Sequence, residues 1–327
     1  MRRLRLALLA VLTAACGGGE PLERSQAGIF GGSADTNDTA VVAVVNFAGG
    51  QCSGSLIAPR LVLTARHCIA DTAGKELQVV CGKTAFNPPD SPGAIFVVPR
   101  PTISDDPDDY RAVEALRVPE GLGDDLCGTD VVLLRLTASL ADITPLEPRL
   151  DATVLGGEGY SAVGFGVDES LADMPSGERK RIDDLQVSCG AGACAGDEIR
   201  DNEWLGSHGA CPGDSGGPAL DREGRVIGVV SRGASGCESP IYGDVASRAA
   251  WLRSEARAAA QADDGGPPSW ACSTAEPCTA APAPSRAEPA ESCGFGRGRI
   301  STSASAALLL VSLLAFGSRR RVLGPRK

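Results

Sequence analysis

Cys211-Pro-Gly-Asp-Ser-Gly-Gly-Pro218 is the stretch on which the reading of this chain turns. Three of its eight residues are glycine, which lets backbone approach backbone or ligand closely and adopt conformations closed to residues with a Cβ. Ser215 sits in the middle. A hydroxyl flanked by amides that can converge on one point suits a nucleophile whose attack creates an oxyanion in need of preorganised donors. The plain alternative is a Gly-rich hairpin carrying a solvated serine. What separates the two is whether a base and an orienting carboxylate lie upstream.

A base is present. Leu61-Val-Leu-Thr64 has the apolar content of a short strand and runs into Ala65-Arg-His-Cys68. His67 is one of only two histidines in the chain. Cys68 can pair with Cys52 across a short loop; closing it would stabilise by roughly 3 kcal/mol on the chain-entropy model and would fix the imidazole.

Thr64–Cys68 and Gly213–Pro218 resemble the two signature segments of the trypsin/chymotrypsin family of serine endopeptidases, a resemblance that covers about Ile29 to Leu252. It implies an all-β fold, two six-stranded antiparallel β-barrels with the active site between them and a C-terminal helix. It also implies an aspartate ahead of a buried apolar strand between the His and the Ser, and Asp130-Val-Val-Leu-Leu-Arg-Leu136 supplies one. In that reading Ser215 attacks the peptide carbonyl, His67 moves the proton, Asp130 orients the ring, and the amides of Gly213 and Ser215 form the oxyanion hole.

Other segments are read through the same resemblance. Ile29-Phe-Gly-Gly32 is similar to the family's mature N-terminus, with Phe30 a departure. A cut before Ile29 by an activating protease would free an amine to pair with Asp214, so the chain is expected to be a zymogen. Gly28 stands before that bond, where a trypsin-like activator would need Arg or Lys. Cys211 and Cys237 match the bridge beside the primary specificity pocket. The pocket would be lined by Gly209 and by Ser231-Arg232-Gly233. Gly209 offers no charge for Arg or Lys, and Gly233 leaves the mouth open. Arg232 stands where the family carries an aromatic; with His208 it either favours acidic substrate residues or belongs to the ordinary surface.

The ends of the chain read as export and sorting signals. Residues 1–15 combine three arginines with an apolar run too short to span a membrane, followed by Cys16. This looks like a bacterial lipoprotein signal with Cys16 as lipid site; plain cleavage after Ala15 stays open. Residues 16–28 form a propeptide, 29–262 the protease domain and 263–292 a flexible Pro/Ala-rich linker. Residues 293–327 carry Cys293, the apolar run Ala304 to Phe316 and Arg319–Arg321. That tail resembles the sorting tail of myxobacterial surface proteins, which implies a sorting protease and a membrane tether at the cell surface or outer membrane of a bacterium; a permanent anchor is the simpler reading.

Composition narrows the rest. The net charge is −10 although eight basic residues sit in the first five and last ten positions, so nucleic acid is excluded as a partner and polypeptides are the expected substrates. With Cys16 and Cys293 set aside, export turns the remaining ten of the twelve cysteines into a set of staples, with Cys81–Cys127, Cys189–Cys194 and Cys272–Cys278 as candidate pairs. Two histidines and no Cys-x-x-Cys argue against zinc, and no metal or cofactor is expected. Between His67 and Asp130, the segments Asn87–Pro92 and Asp105–Asp109 read as an extended acidic surface loop, for which solvation outweighs calcium binding. A catalytically inactive binding module on the same fold, and an esterase, are the rival functions.

Overall fold

The computed structural model describes residues 32–47, 50–73, 79–166, 177–234, 236–263, 266–272 and 277–278. A two-residue strand, β1 (Ser33–Ala34), leads into β2 (Val41–Asn46), β3 (Gly50–Ala58) and β4 (Leu61–Thr64). Val41, Val42, Ala43 and Val44 are all buried, and so is every residue of β4. Strands buried on both faces lose the polar alternation of a surface sheet, which is why these segments read as continuous apolar runs. A small ribbon follows, β5 (Thr72–Ala73) with β6 (Ala85–Phe86). Then come β7 (Ile95–Val98), β8 (Arg111–Arg117) and β9 (Val132–Leu136). Antiparallel pairing in the order β2-β3-β4-β9-β8-β7 closes the first six-stranded barrel.

The second barrel uses β10 (Gly159–Gly164), β11 (Lys180–Cys189), β12 (Glu203–Gly206), β13 (Pro218–Leu220), β14 (Val226–Arg232) and β15 (Ile241–Asp244). The order is β11-β10-β13-β14-β15-β12, and β12 returns to pair with β11, so this ring closes too, with β1 added outside β11. Its core holds Trp204 stacked on Tyr242 at 4.2 Å between ring centroids, with Tyr160 edge-on to Trp204 at 5.1 Å. Two closed barrels and one terminal helix match the architecture expected from the sequence.

Two expectations need correction. The stretch between His67 and Asp130 is not one extended loop, since it contains β7 and β8. Ile95, Val97 and Val98 turn into the core, while Asn87–Ser91 and Asp105–Asp109 stay outside the strands; in the second of these Asp106 caps a short 3-10 helix through the Asp108 amide. Nor does the linker begin at residue 263. The helix α1 (Ala249–Ala262) buries Leu252, Ala256 and Ala259 along one stripe, and the chain then folds back over it. Arg253 and Arg257 donate to the carbonyls of Trp270 and Ala271, the Trp270 indole donates to the Ile57 carbonyl at 3.2 Å, and Ala271 is fully buried.

Ten cysteines pair as Cys52–Cys68, Cys81–Cys127, Cys189–Cys194, Cys211–Cys237 and Cys272–Cys278. Among the described residues no helix is long and apolar enough to cross a membrane. Cys16, Ile29, the signal and propeptide segments, and the Cys293 tail with its apolar run lie outside them.

Replacing Trp270 with alanine should cost about 2 kcal/mol in chemical denaturation, because it removes the ring that holds the post-helix segment onto the first barrel.

Candidate active site

β4 ends at Thr64, and a 3-10 turn over Arg66–Cys68 carries His67 out of the barrel wall. The turn is held on both sides. Cys68 is bridged to Cys52 on β3, and Arg66 lies 4.4 Å over the Phe86 ring while donating to Asp124 at 2.7 Å and to the Gly123 carbonyl at 2.8 Å. Asp130 sits two residues before β9 and is buried. Its Oδ2 lies 2.7 Å from His67 Nδ1 and accepts the Ser231 hydroxyl at 2.6 Å, while Oδ1 accepts the backbone N–H of His67 at 2.9 Å.

Ser215 lies in the turn that enters β13. Its carbonyl accepts from the Ser53 amide at 2.8 Å and lies 3.7 Å from Cys68 Sγ, so its backbone touches one half of the bridge beside His67 and the residue after the other half. Ser53 is a residue the sequence reading missed. It belongs to β3 of the first barrel, yet its Oγ donates to the Gly213 carbonyl at 2.9 Å and accepts from the Phe165 amide at 2.9 Å, both in the second-barrel half. The small-residue run Cys52-Ser-Gly-Ser55 in a Val-rich neighbourhood was its only trace in the sequence.

The glycines around Ser215 now have distinct reasons. Gly213 has φ +96°, and a Cβ there would lie 2.9 Å from Gly166 Cα. Gly216 has φ +80°, and a Cβ would collide with Thr64 Oγ1 and the Ser53 carbonyl. With the Gly213 carbonyl tied to Ser53, the amides of Gly213 and Ser215 donate to no acceptor among the described residues. Asp214 is buried and accepts from the amides of Gly166 at 2.7 Å and Cys211 at 2.9 Å; Ile29, its expected partner, lies outside the described residues.

Electrostatics follow from this burial. Desolvation pulls the His67 imidazole toward its neutral form, but the charge and hydrogen bond of Asp130 outweigh it, against a small opposing push from Arg232, and the net shift is upward from the usual value near 6.5. Burial alone would raise the Asp130 carboxyl; the charge and hydrogen bond of His67 and the Ser231 hydroxyl hold it below the usual range instead. A cavity of about 20 Å³ behind Asp130, lined by Ser231, Glu203, Asp244 and Arg248 among others, has room for about one water molecule.

Of the expected pocket residues, Gly209 is buried and its amide donates to the Cys237 carbonyl at 2.9 Å. The segment Cys237–Pro240 runs between the two walls, bonded to Gly206–Gly209 on one side and, through the Glu238 carbonyl, to the Ala234 amide on the other. A Cβ on Gly233 would lie 3.4 Å from Pro240 Cα, so Gly233 is backed by proline rather than opening onto free space. Arg232 is neither a free rim cation nor a solvated one. Its guanidinium makes a two-pronged contact with Glu203 at 2.6 and 2.8 Å, which removes the basis for an acidic preference at that position. His208 is exposed and pairs with Glu238 in an isolated bridge. His67 with Cys52 and Cys68 would have ligand spacing, but both sulfurs are in a disulfide, so the trio cannot bind a metal as thiolates.

Gly216→Ala should cost more than about 4 kcal/mol or prevent folding, since it combines a left-handed backbone with a collision against fixed neighbours. Gly224, at φ +77° and with open space where a methyl group would stand, is the control: its alanine variant should lose only about 1 to 2 kcal/mol by the same denaturation measurement.

Known proteins resemble this chain over most of its length. Trypsin alpha of Drosophila erecta is 28% identical over 267 residues, covering 76% of this chain and 96% of its own. Trypsin alpha-4 of Lucilia cuprina is 28% identical over 221 residues, covering 63% and 78%. A solved structure titled "Atomic resolution structure of HBP" shares the fold, with a TM-score of 0.50 at 20% identity over 68% of this chain and 95% of that one. The profile of the family described as Trypsin matches residues 29–253, well over half of the chain, and the chain therefore belongs to the trypsin family of serine proteases.

Proposed function

We propose that the chain is an endopeptidase acting through an acyl-enzyme, with Ser215 as nucleophile, His67 as general base and then acid, and Asp130 as the group that orients His67. The observation that carries this is the 2.7 Å contact between His67 Nδ1 and an Asp130 carboxylate that is buried and anchored by Ser231. That contact fixes the ring with Nδ1 as donor and leaves Nε2 to take the Ser215 proton. Attack forms the Ser Oγ–carbon bond and a tetrahedral oxyanion, for which the amides of Gly213 and Ser215 are the donors. Collapse breaks the C–N bond as His67 returns the proton to the leaving amine, and water repeats the cycle on the ester.

The finer features are part of the same reading. Activation by a cut before Ile29 is supported by the burial of the Asp214 carboxylate directly before Ser215, the residue with which the freed amine would pair. A residue other than Arg or Lys before the scissile bond is supported by the uncharged Gly209 and the proline behind Gly233. Export is supported by the five disulfides, which persist outside the cytoplasm. Attachment at a bacterial cell surface or outer membrane, through Cys16 lipid or through the Cys293 tail handled by a sorting protease, rests on the sequence pattern of the two ends.

A fluorophosphonate probe should label the chain begun at Ile29 and fail to label its Ser215→Ala variant; labelling unaffected by that change would return the fold to a binding role. Because the base must be neutral, kcat/KM should rise with pH through the His67 pKa, placing the acidic limb above the ordinary 6.5. Asp130→Asn should cut kcat by roughly 10⁴, measured on a peptide substrate.

A further inference from the structure

Glu203, the first residue of β12, is 1% exposed although its side chain ends in a carboxyl group. Four donors surround its carboxylate. Oε1 accepts from Arg232 at 2.6 Å and from the Gly128 amide at 2.8 Å; Oε2 accepts from Arg232 at 2.8 Å and from the Arg200 amide at 2.9 Å. The Gly128 contact matters for place, because Gly128 is two residues before Asp130 in the turn that presents it. Asn202 and Arg248 donate to the carbonyl of the same Gly128.

Arg232 continues the chain of contacts in the other direction. Besides Glu203 it donates to the Glu198 carbonyl at 2.7 Å and to Ser231 Oγ at 3.2 Å. Ser231 Oγ in turn donates to Asp130 Oδ2, the oxygen that faces His67 Nδ1. A hydroxyl has one proton, and a cation donating to its oxygen leaves that proton for Asp130. A buried ion pair is a poor stabiliser compared with apolar groups of the same size, so packing alone gives no reason for this one.

We infer that Glu203 and Arg232 are positioning residues for the reaction proposed above. Glu203 fixes the turn that presents Asp130, and Arg232 directs the Ser231 hydroxyl onto the carboxylate oxygen that holds the His67 ring. The catalytic half of this inference rests on the protease reading; the geometric half does not. The charged groups that act on His67 are Asp130 ahead of β9 and Arg232 on β14, with Glu203 behind Arg232. Arg66, on the same turn as His67, is engaged with Asp124.

The test uses the full chain and two readings. The first is the NMR titration of His67, which needs no turnover and is simple to assign because the chain has only two histidines, His208 being identified by His208→Gln. The second is the rate at which a small organophosphate labels Ser215, followed after the cut before Ile29. Arg232→Gln removes a cation and leaves Glu203 bare, so the His67 midpoint should rise; Glu203→Gln leaves Arg232 uncompensated, so it should fall. Arg232→Lys keeps the charge but loses the fork, so the midpoint should hold while labelling slows roughly three- to tenfold, the size of one hydrogen bond. If Arg232→Gln does not fold, Glu203→Gln and Arg232→Lys decide by the same readings. Midpoints that stay put in both Gln variants, or move in one direction, overturn the inference, as does an Arg232→Lys variant that labels at the parental rate. A parental chain that titrates as described but never labels would sink the protease reading and leave the geometric half standing.

Discussion

The approach of β3 in the first barrel to the turn around Ser215 in the second is the contact on which the rest depends. Ser53 is bonded through its amide to Ser215, through its hydroxyl to Gly213 and Phe165, and through its carbonyl to the Thr64 hydroxyl. No side chain fits between these strands, so the positions that face the contact are Gly164, Gly216 and Gly217. The glycine-rich stretch is thus less a flexible loop than a surface cut to fit a neighbouring backbone. Thr64, two residues before the turn that carries His67, is part of the same fit. The serine turn and the histidine turn are located by one joint.

Behind the joint, four ionisable side chains follow one another: His67, a quarter exposed, then buried Asp130, then Arg232 paired with buried Glu203. Beyond these pairings, Asp130 and Glu203 accept from backbone amides, and Arg232 donates to the Glu198 carbonyl and the Ser231 hydroxyl. Such an arrangement holds together only if all members are present, because removing one leaves a buried charge whose desolvation is uncompensated.

Local signals in the sequence carried much of this. The apolar run at 61–64, the aspartate opening 130–136 and the glycine-serine stretch are each contiguous, and each became a strand end or turn at the site. The expected C-terminal helix is α1 from Ala249, preceded by a 3-10 turn over Ala246–Arg248 in which Asp244 binds the amide and hydroxyl of Ser247. What escaped were polar contacts between residues far apart in the chain. Ser53 and Glu203 have ordinary neighbours in sequence, and nothing in a strand's period says that a given serine or glutamate reaches another element. Arg232 misled for the same reason: its charge was visible, its partner 29 residues away was not. β7 and β8 were hidden by the prolines and aspartates of the turns around them.

The five cross-links have a bearing on mechanics. Cys52–Cys68 and Cys81–Cys127 lie within the first-barrel half, Cys189–Cys194 and Cys211–Cys237 within the second, and Cys272–Cys278 follows the helix. Among the described residues none sews one half to the other. Covalent reinforcement therefore stiffens each barrel as a separate body, while sliding of one against the other is resisted only by packing and by the weak bonds of the seam. Alignment of the reacting groups is accordingly a property of that seam, and a shear too small to unfold either half would be enough to undo it.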